Sequence, residues 1–170
     1  YLGLETQPHT HGYDVHEINT DDFVALCREI GAEPFITINP AWDTPEESAQ
    51  WVEYCNGSKD TPYGALRAEN GHSEPYNVQF WSLGNEFGYG HMEGPNSPTE
   101  YSKIARSHAN EMLRTSPTLT LCSSGIYPRE EWVNYSAKVL KDIVPNVSLH
   151  HYASPYPEYI DSKKRKEEYY

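Results

Sequence analysis

Residues 77–90 read NVQFWSLGNEFGYG. Val78 to Leu83 has the aromatic and β-favouring make-up of a buried strand. It ends in Gly84, Asn85 and Glu86, a flexible residue, an amide and an acid set where a loop begins. A strand that hands over to such a triplet positions polar groups at its carboxyl end, and the rest of the chain shows what kind of sheet that strand belongs to.

Runs of the same character recur on both sides of it. PFITIN (Pro34 to Asn39) precedes it, and LTLCSSG (Leu119 to Gly125) and VSLHHY (Val147 to Tyr152) follow. Helical patterns separate them. Thr20-Asp21-Asp22 caps a helix whose Phe23, Leu26, Cys27 and Ile30 share one face, with Gly31 as its stop. Thr44-Pro45-Glu46-Glu47 and Ser97-Pro98-Thr99-Glu100 are capping boxes with proline at the first helical position. The second starts a helix with Tyr101, Ile104, Ala105, His108 and Met112 on one face. Pro128 to about Ile143 reads as another helix, and Pro157 to Tyr170 begins one more. Gly57 to Tyr76 reads as a long polar connection, and the His-rich start as an irregular segment. Strand and helix alternate four times without a hairpin signal between neighbouring strands, so the class is α/β, with a parallel sheet whose strands are buried on both faces. An open doubly wound sheet and half of a (β/α)8 barrel both fit this pattern. The absence of GxGxxG and GxxxxGK[ST] after any strand argues against a nucleotide-binding version.

A chain of 170 residues with 37% apolar content suits one globular domain or part of one. The net charge of −12 repels a phosphate backbone, and the basic cluster Lys163 to Lys166 is followed at once by Glu167 and Glu168, so no nucleic-acid partner is expected. No run approaches the roughly 20 apolar residues of a membrane-spanning helix, so no membrane partner is expected either. Cys27, Cys55 and Cys122 fit neither a disulfide framework nor a CxxC metal site and read as thiols packed like small apolar side chains. Glycosylation sequons stand at Asn56, Asn134 and Asn146. The first residue is Tyr1 and the last lies in a charged, helix-like run, so the chain is expected to be a piece of a longer protein.

In either architecture ligands bind beyond the carboxyl ends of the strands. Those ends carry Asn39, then Asn85 and Glu86, then Ser123 and Ser124, then His150, His151 and Tyr152, a set suited to a hydroxyl-rich ligand. Glu86 is the foremost candidate, because an apolar flank such as Trp81 and Phe87 favours the protonated carboxyl that a general acid needs. Read from pattern alone, it is equally a solvated loop acid beside a turn asparagine. His9, His11, His16 and Glu17 carry zinc-type ligands, but their spacing matches no motif such as HExxH, and no metal is expected. Strand alternation sends one ring of His150-His151 into the site and one away from it. Ser123-Ser124-Gly125 is not a GxSxG elbow and reads as backbone packing at a strand end. Trp51, Trp81 and Trp132 read as core or rim aromatics, and a tryptophan near the site would also serve as a platform for a sugar ring.

The run TPYGALRAENGHSEPYNVQFWSLGNE (Thr61 to Glu86), with DDFVALCREIGAEPFITIN and EESAQWVEYCNG before it, resembles the α-L-arabinofuranosidases of glycoside hydrolase family 51. HMEGPNSPTEYSKIARSHANEM and VSLHHY extend the likeness, which covers about Asn19 to Tyr152. The resemblance implies part of a (β/α)8 TIM barrel, roughly strands three to six with their helices. Residues 1–170 would then be a partial catalytic domain without strands one, two, seven and eight or the family's β-sandwich domain. It implies that Glu86 is the acid/base glutamate ending strand four and that Asn85 contacts the sugar's 2-hydroxyl. His150 and Tyr152 match the family's His-x-Tyr at strand six, so they too are expected to bind substrate. The implied reaction is retaining hydrolysis of terminal α-L-arabinofuranosyl residues from arabinose-containing oligosaccharides or polysaccharides, without a cofactor. The implied nucleophile is a glutamate on strand seven, outside this chain, so the chain alone is expected to be inactive. Members of the family often form homo-oligomers. Two alternatives stand beside this reading: another (β/α)8 glycosidase of endoglucanase or xylosidase type, since Gly-Asn-Glu recurs among them, and a non-catalytic carbohydrate-binding remnant.

Overall fold

The structure, a computed structural model, describes the backbone of residues 4–6 and 13–15 and residues 17–88, 94–125 and 129–150 in full. Near the start, where sequence reading expects an irregular segment, β1 (Leu4–Thr6) and β2 (Tyr13–Val15) pair antiparallel, with Leu4 opposite Val15. The candidate ligands His9, His11 and His16 lie outside the described residues.

Helix α1 (Thr20–Glu29) is capped by Asn19, one residue before the expected start. The Asn19 side chain accepts from the Asp22 amide while the Asp22 carboxylate accepts from the Asn19 amide. Gly31, at φ 72°, lets the chain leave the helix, and the Ala32 amide closes back on the Cys27 carbonyl at 2.8 Å. The buried stripe differs from the expected one. Val24 and Cys27 face inward, whereas Leu26 and Ile30 are exposed. Hydrogen bonds set this rotation. The Tyr54 and Tyr76 hydroxyls each donate to the Asp21 carboxylate at 2.7 Å, and the Trp51 indole donates to Thr20 Oγ1 at 3.2 Å, which turns the Thr20–Asp21–Val24 side inward.

The remaining elements follow the expected alternation, with one addition. They are β3 (Phe35–Ile38), α2 (Pro45–Asn56), α3 (Pro62–Glu69), β4 (Phe80–Leu83), α4 (Pro98–Thr115), β5 (Thr120–Ser123), α5 (Glu130–Leu140) and β6 (Asn146–Val147). The addition is α3, which lies in the stretch expected to be a polar connection. Thr61 caps it, Pro62 occupies its first turn and Gly71, at φ 98°, ends it. Its single long inward side chain is Arg67, so it carries no apolar stripe for periodicity to detect. The strand expected from Val78 begins at Phe80 because Val78 is held by a side chain instead. Asn56 accepts from the Val78 amide at 2.7 Å and donates to its carbonyl at 2.8 Å. The Asn56 sequon therefore has its amide engaged in the fold.

The sheet runs β3-β4-β5-β6, parallel throughout, with Ile36, Trp81 and Leu121 in one row and Ile38, Leu83 and Ser123 in another. Both rows are buried beneath the helices, and α4 packs on α2 and on α5. Helices α2, α4 and α5 thus lie on one face, and each strand of this sheet sits beside the one before it. A doubly wound sheet reverses its strand order and puts helices on both faces, so this is the winding of a barrel segment. The other face corrects the expectation of strands buried on both sides. Phe35 is 51% and Phe80 40% exposed, because among the described residues nothing covers the row they share with Thr120. In a closed barrel that row points into the packed interior.

The core between sheet and helices holds Trp81, Tyr101, Met112, Leu121, Trp132 and Leu140. Cys27 and Cys55 are buried in it or at its edge and Cys122 is partly buried, all three free. Burial pushes the Cys55 thiol up to about 12, which suits its reading as a small apolar side chain.

Candidate active site

Three strand ends meet at one mouth of the sheet, and the backbone there is held by buried hydroxyls. Tyr101, from α4, donates to the Leu83 carbonyl at 2.9 Å and accepts from the Ser124 amide at 2.6 Å, clamping the carboxyl ends of β4 and β5 together. Burial holds its phenol well above the ordinary tyrosine range, so it stays a neutral donor. Ser124 Oγ accepts from the Phe87 amide at 3.4 Å, and Ser82 Oγ donates to the Gly84 carbonyl at 2.9 Å. Ser123 and Ser124 are both buried, in line with backbone packing and not with nucleophilic chemistry.

This framework forces an unusual turn after β4. Gly84 sits at φ 96°, and a Cβ there would collide with the Phe87 ring, so only glycine fits. Glu86 takes φ 53°, a left-handed conformation that costs an L residue with a side chain roughly 1–2 kcal/mol. Strain of this kind persists only where the surroundings impose it, and it gathers at functional sites. Here it aims the Glu86 carboxyl across the mouth towards β6.

The partner on that side is His150. Its Nδ1 lies 2.8 Å from Glu86 Oε1, with the carboxyl side chain 19% and the imidazole 27% exposed. A ring protonated at Nδ1 donates to the carboxylate and fixes its orientation. The end of β6 is pinned for this contact, since the Ser148 amide donates to the Ser123 carbonyl at 2.9 Å. The structure therefore brings together Glu86 and His150, two residues the sequence places 64 positions apart. Asn85 stands beside them with an exposed side chain. Tyr152 and His151 lie outside the described residues.

On the opposite flank, between the ends of β3 and β4, a hollow of about 350 Å³ is lined by Thr37, Asn39, Trp42, Gly84, Asn85 and Phe87 among others. Trp42 is the residue that sequence reading passed over. Trp81 and Trp132 are buried and Trp51 half-buried, whereas Trp42 is 72% exposed at this mouth. The only hint in the sequence is its place three residues beyond Asn39, the polar end of a strand. Among the described residues no three His, Cys, Asp or Glu side chains gather to hold a metal ion.

The family model of the α-L-arabinofuranosidase 1 domain matches residues 5–169. A probable α-L-arabinofuranosidase C from Aspergillus clavatus is 36% identical over 127 residues, 75% of this chain and 25% of that protein. Among solved structures, an α-L-arabinofuranosidase from Thermotoga maritima, crystallised as an arabinose complex, superposes with a TM-score of 0.84 at 33% identity, covering 92% of this chain and 32% of that one. The thermostable GH51 α-L-arabinofuranosidase of Thermotoga petrophila gives a TM-score of 0.80 at 34% identity, over 87% of this chain and 31% of that one. The chain thus spans about a quarter of the length of the curated relatives it matches.

Proposed function

Because the chain belongs to the α-L-arabinofuranosidase family, glycoside hydrolase family 51, we propose that the protein carrying it is a retaining glycosidase. It releases terminal α-L-arabinofuranosyl residues from arabinose-containing oligosaccharides and polysaccharides, with Glu86 as general acid and base. The observation that carries this reading is the Glu86 carboxyl, forced by the Gly84 turn to the mouth of a parallel sheet and met there by His150 at 2.8 Å.

Retaining hydrolysis needs two carboxyl groups about 5–5.5 Å apart, one protonating the leaving oxygen and one attacking the anomeric carbon. Glu86 takes the first part. It gives its proton to the departing oxygen as the glycosyl–enzyme bond forms, then as carboxylate takes a proton from the water that attacks that bond. His150 is a positioning residue that holds the Glu86 carboxyl group in line through both steps. Asn85 and Tyr152 bind the sugar hydroxyls. The attacking carboxylate is supplied by strand seven of the barrel, to which this chain contributes strands three to six.

A panel of nitrophenyl glycosides tests the substrate class on the complete protein. The α-L-arabinofuranoside should be cleaved at least about 100-fold more efficiently than the β-D-xyloside or β-D-glucoside, since a site built around one sugar's hydroxyls leaves polar groups unpaired with another. Equal or greater activity on the xyloside or glucoside would favour the alternative glycosidase readings, and binding without turnover the non-catalytic one.

A further inference from the structure

We propose that Trp42 is the platform for the sugar from which arabinose is removed, making it a specificity residue on the leaving-group side of the cleaved bond. The inference rests on the assignment of Glu86 above. An indole left 72% exposed on a protein that buries or half-buries its three other tryptophans stands out, and its setting gives it a task.

First, the backbone that carries Trp42 is fixed. The Asn39 carbonyl accepts from the Trp42 amide at 3.1 Å and the Asp43 amide at 2.9 Å. Asn39 Oδ1 accepts from the Ala41 amide at 3.3 Å, and Asp43 Oδ2 accepts from the Asn39 amide at 3.2 Å. Pro40 restricts the backbone between them, and Thr44 caps α2 immediately afterwards. The backbone that carries the indole is therefore a closed turn between a strand and a capped helix, which lowers the ordering cost of binding.

Second, the surroundings match a sugar ring. A pyranose or furanose offers an apolar C–H face to an aromatic plane and hydroxyls at its edge. The hollow is lined by one exposed aromatic side chain, Trp42, and by the exposed amide of Asn39, with Asn85 at the edge it shares with the arabinose. Asn39 uses its carbonyl oxygen within the turn, so its NH2 group is the part that faces a ligand hydroxyl.

Third, the topology assigns the side. His150 approaches Glu86 from the β6 end of the sheet, whereas the Trp42 hollow opens between β3 and β4 on the other flank. The ring under attack belongs towards the barrel axis, where a second carboxylate must reach it. The oxygen that Glu86 protonates bridges outward from that ring, and the sugar beyond it falls on the exposed rim.

The test compares Trp42→Ala and Trp42→Phe with the unsubstituted complete protein on two substrates. One is methyl α-L-arabinofuranoside, whose leaving group has no ring, and the other is an arabinose-substituted xylo-oligosaccharide. The ratio of kcat/KM on the oligosaccharide to that on the methyl glycoside should fall roughly tenfold in Trp42→Ala, mainly through KM, as loss of one aromatic stacking contact predicts. Trp42→Phe should recover most of the ratio. A ratio that stays within twofold in Trp42→Ala would overturn the role of Trp42 while leaving the arabinofuranosidase reading intact. Hydrolysis of neither substrate by the unsubstituted protein would overturn that reading and this inference with it.

Discussion

Glu86→Gln in the complete protein is expected to slow hydrolysis of arabinosides with alkyl or sugar leaving groups by about 10²–10⁴-fold, the usual contribution of a positioned general acid. Glutamine keeps the size and hydrogen-bonding reach of the side chain but has no proton to give. It can still accept from His150, which sits 2.8 Å away, so the fold of the turn should survive. An alkoxide leaving without a proton is a poor leaving group, and the bond-breaking step then dominates. A dinitrophenolate departs without assistance, so formation of the glycosyl–enzyme intermediate from a dinitrophenyl arabinoside should be nearly as fast as in the unsubstituted protein. Its release should be slow, because the base for the water is also gone, so product should appear as a burst followed by slow turnover. Equal losses on both substrate types in the pre-steady state would remove Glu86 from the acid role.

Arg67→Ala is expected to be the most destabilising of the single substitutions that leave the mouth untouched. The guanidinium is fully buried, and its partners are carbonyls: Tyr54 at 2.6 Å, Gly57 at 2.8 Å, His72 at 3.0 Å and Ser73 at 3.3 Å. It also lies 5.7 Å from the centre of the Tyr76 ring. One side chain thus ties the end of α2, the end of α3 and the lead-in to β4. Alanine removes the donors, leaves four carbonyls to be resatisfied and opens a cavity. Each buried acceptor left unsatisfied costs about 1–3 kcal/mol, and with partial relaxation around the cavity the four together are expected to cost about 4 kcal/mol. In the complete protein a loss of about 4 kcal/mol corresponds to a fall in Tm of several degrees, since each kcal/mol shifts Tm less as the cooperative unit grows. Arg67→Lys should restore less than half, because an ammonium cannot span the planar fork of acceptors. A Tm within 2 °C or so of the original for Arg67→Ala would show that the clamp contributes little.

Arg67 also marks the limit of what the sequence makes legible. Strands and long helices could be read because their signals are local. Thr44 with Glu47 forms the expected reciprocal cap, with 2.7 and 3.2 Å contacts in the two directions, and α4 buries the expected Tyr101, Ala105, His108 and Met112. Helix α3 escaped because its inward residue is a charged one whose burial depends on carbonyls at the end of α2 and in the turn after α3 itself. The rotation of α1 escaped for a related reason, since Tyr76, 55 positions away, fixes it through Asp21. Barrel and doubly wound sheet share one periodicity, and only the placement of α2, α4 and α5 on a single face separates them. At the site, Glu86, Asn85 and His150 could be picked out as polar residues at strand ends. The left-handed turn that turns Glu86 towards His150 depends on Phe87 packing against Gly84, a contact no spacing rule contains. Trp42 looked like any other tryptophan until its exposure was known.

Glu86 as acid and base of a retaining arabinofuranosidase has a consequence that azide reads out. In Glu86→Ala the glycosyl–enzyme intermediate should accumulate on a dinitrophenyl arabinoside, with no base to activate water. Azide needs no base and fits the space left by the carboxyl, so it should accelerate turnover and yield α-L-arabinofuranosyl azide, the configuration of the substrate retained. No acceleration by azide, or a product of inverted β configuration, which would identify Glu86 as the nucleophile, would contradict the assignment.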